Sequence, residues 1–313
     1  MVRMQDIQPR FETWLRQEGE MPRAVVTSMA PVEGGASNVT LRVELEGAAV
    51  PAVVLRLQRE TGIFQPYDVA REGEILRALA NTAVPVPGVL AIERNATVLG
   101  APFVVLEWVD APHMGVAGGE ADFGAFTAMV AAIHNEDWRR IPPDVLPRPT
   151  TVAEATRTEV ALVAARIDAF GLQSPLLDRG HELLQEHIPS DGELCLCQGD
   201  VNVFNFLFRE REVVAVVDWE QAHIGDPRSD IGQLVALSHL KGAPFGEARE
   251  MPFARAYEAV SGRSMAGLEY FRALWAWQLS FIYRAWVASN DSAPWYTGDE
   301  ADSLLDRCLA EIG

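Results

Sequence analysis

The sequence is poor in cysteine and contains no long apolar run. Three cysteines occur among 313 residues, too few for the disulfide framework that small secreted proteins carry. Cys195 and Cys197 alternate with leucines, so we expect them to be small core residues, and the pair alone does not make a metal site. No apolar run approaches the roughly 20 residues that span a bilayer, and the first residues contain no apolar signal segment. These features indicate a cytoplasmic protein without a membrane partner.

The sequence is also poor in basic residues. It has 26 Lys and Arg against 44 Asp and Glu, a net charge of −18. Nucleic acid is therefore not an expected partner, because binding its backbone relies on basic patches. The acidic surface suits a cationic ligand such as an aminoglycoside, but it is more typical of an ordinary acidic soluble protein. The hydrophobic content of 49% is sufficient for a packed core.

Apolar periodicity divides the chain near residue 110. Before it, strand patterns predominate around one apolar helix, and after it helical spacing predominates. The predicted strands of the first part are 25–29, 39–45, 50–57, 89–92 and 103–106. The predicted helices are 5–18, 69–80, 123–134, 152–170, a segment starting at Ser174-Pro175 and running to residue 187, and a core-facing helix around 271–282.

Polar residues stand at the ends of short apolar strands between residues 194 and 218. The predicted strand 194–197 is followed by Asp200, and Asn205 lies five residues later. After the predicted strands 206–208 and 213–217 comes Asp218. The ends of buried strands are unfavourable places for such groups unless they share a ligand. Loop acids of a solvated β-hairpin are the alternative interpretation.

This order of residues suits phosphoryl transfer to a hydroxyl. The reaction needs a carboxylate beside the incoming hydroxyl and oxygen ligands for magnesium, and protein kinases use an Asp, an Asn five residues later and an Asp on the next hairpin. Asp200 would orient the acceptor hydroxyl or accept its proton. Asn205 and Asp218 would hold Mg²⁺.

The whole segment resembles the aminoglycoside phosphotransferase family of kinase-like small-molecule kinases. The family has His where this chain has Gln198. Because glutamine can still donate and accept hydrogen bonds, we expect altered support of the loop rather than lost chemistry. The difference keeps open an alternative, a nucleotide-binding pseudokinase with a regulatory role. The resemblance rests on Gln198-Gly199-Asp200, Asn205, Asp218-Trp219-Glu220, Gly225-Asp226-Pro227 and Asp230.

The resemblance implies an α+β, two-lobed protein-kinase-like fold. Residues 1–109 would form the nucleotide-binding N-lobe, which consists of an antiparallel sheet and a helix. Residues 110–313 would form a mostly helical C-lobe with the catalytic loop and the acceptor-binding helices. The implied cofactors are ATP, with GTP also possible, and Mg²⁺.

The same resemblance assigns nucleotide-binding residues. Arg56 would contact the phosphates, and Glu72, rather than Glu74, would hold it; a surface arginine on a strand is the alternative. Ser37 and Asn38 are the polar residues of a glycine-containing loop that starts at Glu33, although a Gly-Gly pair more often marks a plain turn. The backbone from Glu107 to Val109 would bind adenine.

Further residues of the segment are expected to support the loop. They are Gln198, Asp226 and Asp230, and for Asp230 we expect either capping of the following helix or bracing of the catalytic loop. Glu220 is either a further metal or substrate group or a solvated acid. His134, at a helix end, is expected to be structural.

The resemblance implies that the acceptor is a hydroxyl-bearing small molecule. Four short phrases resemble the kinase domains fused to acyl-CoA dehydrogenases, which phosphorylate hydroxyacyl-CoA, and this resemblance favours a metabolite. The phrases are Gly34-Gly35-Ala36-Ser37-Asn38, Val54-Leu55-Arg56, Pro85-Val86-Pro87 and Leu99-Gly100-Ala101-Pro102-Phe103. The acidic charge favours an aminoglycoside-type antibiotic. Protein kinase activity is not expected, because no Ala-Pro-Glu-like element lies between Asp218 and Asp230. No pattern bears on the oligomeric state.

Overall fold

The computed structural model describes residues 4–32, 37–117, 122–241, 250–289 and 295–313. The chain forms two compact units. Unit 1 contains Met1–Ala111 and Ala215–Glu220, and unit 2 contains Pro112–Val214 and Gln221–Gly313. The first division lies close to the expected lobe boundary after residue 109. The return of residues 215–220 to unit 1 was not expected from the sequence.

Unit 1 is built on an antiparallel sheet in the order β1-β2-β3-β5-β4. Strand β3 lies between β2 and β5, so Arg56 stands opposite Thr40 on one side and Val104 on the other. The elements of unit 1 are α1 (Met4–Gln17), β1 (Val25–Pro31), β2 (Val39–Glu46), β3 (Ala52–Leu57), α2 (Val69–Leu79), β4 (Val89–Glu93) and β5 (Phe103–Glu107).

Helix α1 covers the apolar face of this sheet. Its Trp14 packs edge-on against Phe103 of β5, with ring centroids 4.8 Å apart. Leu41 and Val43 of β2 point into the same core and are fully buried. The period-2 alternation of β2 therefore buries one face of the strand, as a half-buried strand requires.

Helix α2 brings an acid into the interior of unit 1. Asp68 caps the helix by accepting a hydrogen bond from the Arg71 N–H (2.8 Å). Glu72 lies in the first turn, on the same buried face as Ile75 and Leu76. A carboxylate at this depth needs a partner, because an unpaired buried charge is strongly unfavourable.

Unit 2 is mainly helical. Its short strands pair as β6 with β9, antiparallel, and β7 with β8. The elements are α3 (Phe123–Asn135), a 3₁₀ turn (Trp138–Arg140), α4 (Val152–Ala169), α5 (Pro175–Glu186), β6 (Cys195–Cys197), β7 (Phe206–Arg209), β8 (Glu212–Val216, whose last two residues belong to unit 1), β9 (His223–Gly225), α6 (Pro227–Ser238), α7 (Glu250–Ser261), α8 (Leu268–Ser289) and α9 (Gly298–Ile312).

Helix α8 is the centre of unit 2. It packs against α6 and α9, and it is buried on most of its circumference, as expected for a helix that is apolar all round. Gly232 of α6 allows a close approach, because a Cβ there would lie 2.7 Å from the Phe271 backbone. The α6–α8 contact therefore fixes the helix that follows the segment 198–226.

The structure confirms the predicted strands and helices of both units to within a few residues. Strand β9 and helix α7 were missed; β9 has three residues, too few to show an alternation. The suggestion that Asp230 caps a helix is wrong, because α6 begins at Pro227 with Asp226 as its N-cap. All three cysteines are buried, as expected of core residues. Among the described helices, none is both long and apolar enough to cross a membrane.

Candidate functional site

Arg56 is an interior residue of unit 1. Its side chain is only 9% exposed, so it is not a surface arginine of a strand. Its Nη1 donates to Glu72 Oε1 (2.9 Å), and the same oxygen accepts the N–H of Trp219 (3.2 Å). Glu74 instead contacts the exposed Arg94. Glu72 is therefore the helix acid that holds Arg56.

Two further carboxylates contact the same guanidinium. Arg56 Nη2 donates to Asp218 Oδ1 (3.1 Å) and to Glu220 Oε2 (3.3 Å). Burial raises the pKa of Glu220 to about 8, and the neighbouring Asp218 carboxylate adds to the rise. Burial also raises the pKa of Glu72 to about 7, although the Arg56 guanidinium opposes that rise. Glu220 is thus not a solvated loop acid.

The acidic cluster, Glu72, Asp218 and Glu220, brings three carboxyl groups to a single guanidinium, that of Arg56. Glu72 Oε2 is buried and has no hydrogen-bond partner among the described residues. Carboxylate oxygens are the ligands that hard divalent cations prefer. The side chain of Asp218 is 27% exposed, the most accessible of the three. The donor set in unit 1 therefore fits Mg²⁺.

Asn38 links the loop after β1 to the acidic cluster. Its Nδ2 donates to Glu220 Oε2 (2.8 Å), and its Oδ1 accepts the N–H of Arg59 (3.1 Å). Ser37 is buried beside it and also bonds Glu220. The glycines of this loop, Gly34 and Gly35, lie outside the described residues. Both predicted polar residues thus contact protein groups of unit 1.

The segment from Glu107 to Val109 begins at the last residue of strand β5. The Glu107 N–H donates to the Gly88 carbonyl (2.8 Å), and the Val109 carbonyl accepts from the Ala111 N–H (3.0 Å). The guanidinium of Arg42 lies over the Trp108 ring, 4.4 Å from its centroid. The structure therefore holds this segment by backbone bonds and by one cation–π contact.

In unit 2, Asp200 stands in the loop after β6 and is partly exposed. Its Oδ2 accepts a hydrogen bond from Asn205 Nδ2 (2.9 Å), and its Oδ1 accepts one from Gln233 Nε2 (2.6 Å). Two amides thus fix the orientation of the carboxylate. Because the nitrogen of Asn205 faces Asp200, its amide oxygen is the atom that it can offer to a metal.

Gln198 supports this loop from inside. It is fully buried, and its Oε1 accepts the N–H of Asp200 (2.8 Å). Gly199 has φ +82°, and a Cβ there would lie 2.2 Å from the Gln221 carbonyl oxygen. A glycine is therefore required at this position, and the glutamine holds the loop by a direct bond to the backbone of Asp200.

The side chain of Asp230 braces the same loop by accepting hydrogen bonds from the loop's backbone. Its Oδ2 accepts the N–H of Gln198 (2.8 Å), and its Oδ1 accepts the N–H of Gly199 (3.0 Å). His134 Nε2 lies 3.1 Å from Asp230 Oδ2, and His134 Nδ1 lies 2.6 Å from the Tyr257 hydroxyl. These side chains are buried. A hydrogen-bonded chain thus runs from α7 through α3 and α6 to the loop.

Asp226 acts at the start of α6. It accepts the N–H of Arg228 (2.8 Å) as the N-cap and pairs with the guanidinium of the same residue (2.8 Å). It makes a local structural contact rather than one to the loop.

Sequence reasoning missed two residues of the site, Gln233 and Tyr257. A glutamine among the apolar residues Ile231, Leu234 and Val235 of a buried helix was a signal that could have identified Gln233, because a buried amide needs polar partners. Tyr257 carried no such signal.

The chain is similar in sequence to proteins of known families. A family profile described as "APH: Phosphotransferase enzyme family" matches residues 28–280. Mouse acyl-CoA dehydrogenase family member 11 is 31% identical over 242 residues, which cover 72% of this chain and 30% of that protein. Mouse acyl-CoA dehydrogenase family member 10 is 29% identical over 214 residues, covering 63% of this chain and 19% of that protein. The chain therefore spans less than a third of the length of either relative.

Solved structures resemble the chain over nearly its whole length. A thermostable mutant of aminoglycoside phosphotransferase APH(4)-Ia, in a ternary complex with ADP and hygromycin B, matches with a TM-score of 0.67 and 16% identity, covering 96% of this chain and 97% of that chain. A choline/ethanolamine kinase family protein from Mesorhizobium loti matches with a TM-score of 0.63 and 16% identity, covering 97% and 94%. The predicted two-lobed, kinase-like α+β fold is confirmed.

Proposed function

Because the chain belongs to the phosphotransferase enzyme family, we propose that it transfers the γ-phosphoryl group of ATP, with Mg²⁺, to a hydroxyl of a small molecule. The observation that carries the proposal is the fixed carboxylate of Asp200, which two amides orient and which remains partly exposed. In phosphoryl transfer a protein contributes mainly positioning and electrostatic stabilisation. GTP is a second possible donor.

Unit 2 would supply the group that meets the acceptor. Asp200 would accept a hydrogen bond from the acceptor hydroxyl, orient its oxygen and take its proton. As the new O–P bond forms, the bond from the γ-phosphorus to the β–γ bridging oxygen breaks and ADP leaves. Asn205, Gln198 and Asp230 would act on Asp200 through the bonds described above, so they are positioning residues in this step. Asn205 would also offer its amide oxygen to Mg²⁺.

Unit 1 would supply the groups that hold the nucleotide. Arg56 would donate to phosphate oxygens, with Glu72 fixing its direction. Asp218 would be a carboxylate ligand of Mg²⁺, which when bound neutralises phosphate charge. Ser37 and Asn38 would contact the phosphates, and the backbone from Glu107 to Val109 would bind adenine.

Two kinds of acceptor have support. The relatives named as acyl-CoA dehydrogenase family members favour a metabolite such as a hydroxyacyl-CoA. The structural neighbour with bound hygromycin B favours an aminoglycoside-type antibiotic. A cytoplasmic protein without a nucleic-acid or membrane partner remains our proposal for its setting, based on its charge and hydropathy.

A pseudokinase with a regulatory role is the second candidate. Arg56 already contacts Glu72, Asp218 and Glu220, so phosphate oxygens would have to compete with carboxylates for its Nη2. A protein that binds a nucleotide weakly, or without turnover, would be consistent with this competition.

Thermal unfolding of the purified protein tests the proposal. ATP and GTP are titrated with and without Mg²⁺, because a ligand that binds the native state raises the midpoint temperature by mass action. At a ligand concentration of 100 Kd the free energy of unfolding rises by about 2.7 kcal/mol. We expect a magnesium-dependent rise that Asp218→Ala abolishes. No rise with either nucleotide at millimolar concentration would contradict nucleotide binding.

Turnover separates the two candidates. ATP consumption is measured with Mg²⁺ and with aminoglycosides or hydroxyacyl-CoA compounds as acceptors. Transfer to any acceptor favours the enzyme, whereas a magnesium-dependent midpoint shift without transfer to any of them favours the pseudokinase.

A further inference from the structure

Asp218 has an unusual backbone conformation for a residue that carries a side chain. Its φ is +61°, in the left-handed region that residues other than glycine seldom adopt. Such a conformation costs free energy and persists only where the surrounding structure determines it. The carboxylate of Asp218 is the one that the proposed function assigns to Mg²⁺. The contacts that fix this backbone therefore also fix the direction of the metal ligand.

The residue after Asp218 is anchored from two sides. Trp219 is fully buried, and its indole Nε1 donates to the Val216 carbonyl (3.0 Å). Its backbone N–H donates to Glu72 Oε1 of α2 (3.2 Å). The indole and the backbone of Trp219 are thus both held within unit 1.

Arg71, the neighbour of Glu72 in α2, anchors the next residue of the segment. Its Nη1 donates to the backbone carbonyl of Glu220 (2.9 Å), a residue 149 positions along the chain. Arg71 is half-buried, and hydrogen bonds from a charged donor are among the stronger ones in proteins. Two successive residues of α2 therefore hold the backbone of the two residues that follow Asp218.

We propose that Arg71 is a positioning residue of the magnesium site, and that by fixing the backbone of Glu220 it holds the Asp218 carboxylate in the direction that binds the metal. The inference rests on the proposed phosphotransferase function, in which Asp218 is a ligand of Mg²⁺. It requires no contact between Arg71 and the nucleotide. Groups that orient metal ligands without touching the metal typically contribute about 10- to 100-fold to metal affinity.

Other roles of Arg71 predict different effects on ligand binding. A guanidinium near a metal site repels Mg²⁺, so if Arg71 acted by its charge alone, its removal would strengthen metal binding. An arginine that bound the phosphates directly would contribute to ATP binding with and without the metal. Only a positioning residue is needed specifically for the part of the affinity that Mg²⁺ adds.

The quantity to measure is the magnesium coupling, which is the Kd of ATP in EDTA divided by the Kd of ATP with excess Mg²⁺. Both constants come from thermal unfolding midpoints titrated with ATP. Each midpoint is compared with that of the same variant without nucleotide, so a change in the stability of the variant itself is taken into account.

The variants separate the donor, the charge and the helix. Arg71→Met has neither donor nor charge, and Arg71→Gln, whose amide ends closer to the backbone, replaces it if the Met variant does not fold. Arg71→Lys keeps the charge and a donor. The control is Arg77→Met, which removes an exposed arginine from the last turn of the same helix.

Arg71→Met is expected to lower the magnesium coupling by about tenfold or more and to leave the Kd of ATP in EDTA unchanged. Arg71→Lys should recover most of the loss, and Arg77→Met should have the coupling of the wild type. A coupling in Arg71→Met that equals or exceeds the wild-type value overturns the proposal, and so does an equal loss in Arg77→Met. If the wild type itself shows no magnesium-dependent shift with ATP, the proposed function fails and the role of Arg71 fails with it.

Discussion

Arg56 and Glu72 form an ion pair of 2.9 Å in the interior of unit 1, with side chains that are 9% and 1% exposed. One comes from a central strand and the other from the first turn of a helix. Both sit where desolvation is costly, so each depends on the other. The same guanidinium also contacts Asp218 and Glu220. Removing it should therefore affect the stability of unit 1 as well as nucleotide binding.

We expect Arg56→Gln to lower the free energy of unfolding by about 3–5 kcal/mol, because it leaves buried carboxylates without their counter-charge. Urea unfolding at pH 7 measures the loss. The matched control is Arg94→Gln, which removes the exposed contact with Glu74 and should cost about 1 kcal/mol or less. Equal losses in the two variants would contradict a structural role of the buried pair.

Asp200→Asn should remove the proton acceptor while keeping the size of the side chain. We expect kcat to fall by about 10²–10⁴ on any accepted substrate, and the magnesium-dependent midpoint shift with ATP to persist. Asp144→Asn, at an exposed position of the same unit, is the control and should retain wild-type rates. Wild-type turnover by Asp200→Asn would refute the mechanism.

Because Asp230 makes several buried hydrogen bonds, we expect its removal to lower the free energy of unfolding by more than the removal of the Tyr257 hydroxyl does. Asp230→Ala leaves the N–H groups of Gln198 and Gly199 without acceptors, at about 1–3 kcal/mol for each group. Tyr257→Phe removes the hydroxyl that bonds His134 and Ser261, and it should cost about 1–2 kcal/mol in total. Denaturant unfolding gives both values. If Tyr257→Phe were as damaging as Asp230→Ala, the bracing of the loop would not be the dominant contribution.

Glu159 predicts a pH dependence of stability. Burial raises the pKa of its carboxyl above the ordinary value of 4.5, although His223 and the Ser229 hydroxyl oppose the rise. The native state thus holds this proton more tightly than the unfolded state. The resulting stability is fully present below about pH 4.5 and is lost as the pH rises through the native pKa.

Glu159→Gln should therefore gain stability relative to the wild type as the pH rises from 5 to 8. The free energy of unfolding of both proteins is measured at the two pH values, and the difference between them removes the contribution of the groups that do not interact with Glu159. Glu186→Gln, at an exposed position, should show no such trend. A Glu159→Gln difference that is the same at both pH values would rule out the raised pKa.

Much of the site could be predicted because it is local in sequence. Asp200, Asn205 and Asp218 follow short strands at fixed spacing, and the bond between Asn205 and Asp200 joins residues five apart. The choice of Glu72 over Glu74 came from the family resemblance, because Glu72 follows Arg71 in the family-like phrase Arg-Glu-x-x-x-Leu. In the structure Glu72 lies on the buried face of α2 and Glu74 does not. The start of α6 was misjudged because Asp226 and Asp230 are both acids that could cap a helix, and only the backbone bonds distinguish them.

The sequence by itself determined the alternation of strands and helices and the order of the polar residues between 198 and 230, because periodicity and spacing act over a few residues. The tertiary structure alone decided which distant side chains meet. Tyr257 bonds a histidine 123 residues away, and Arg56 contacts an acid 164 residues along the chain. Such contacts depend on how buried surfaces pack, and each one exists because a polar group removed from water must find a partner.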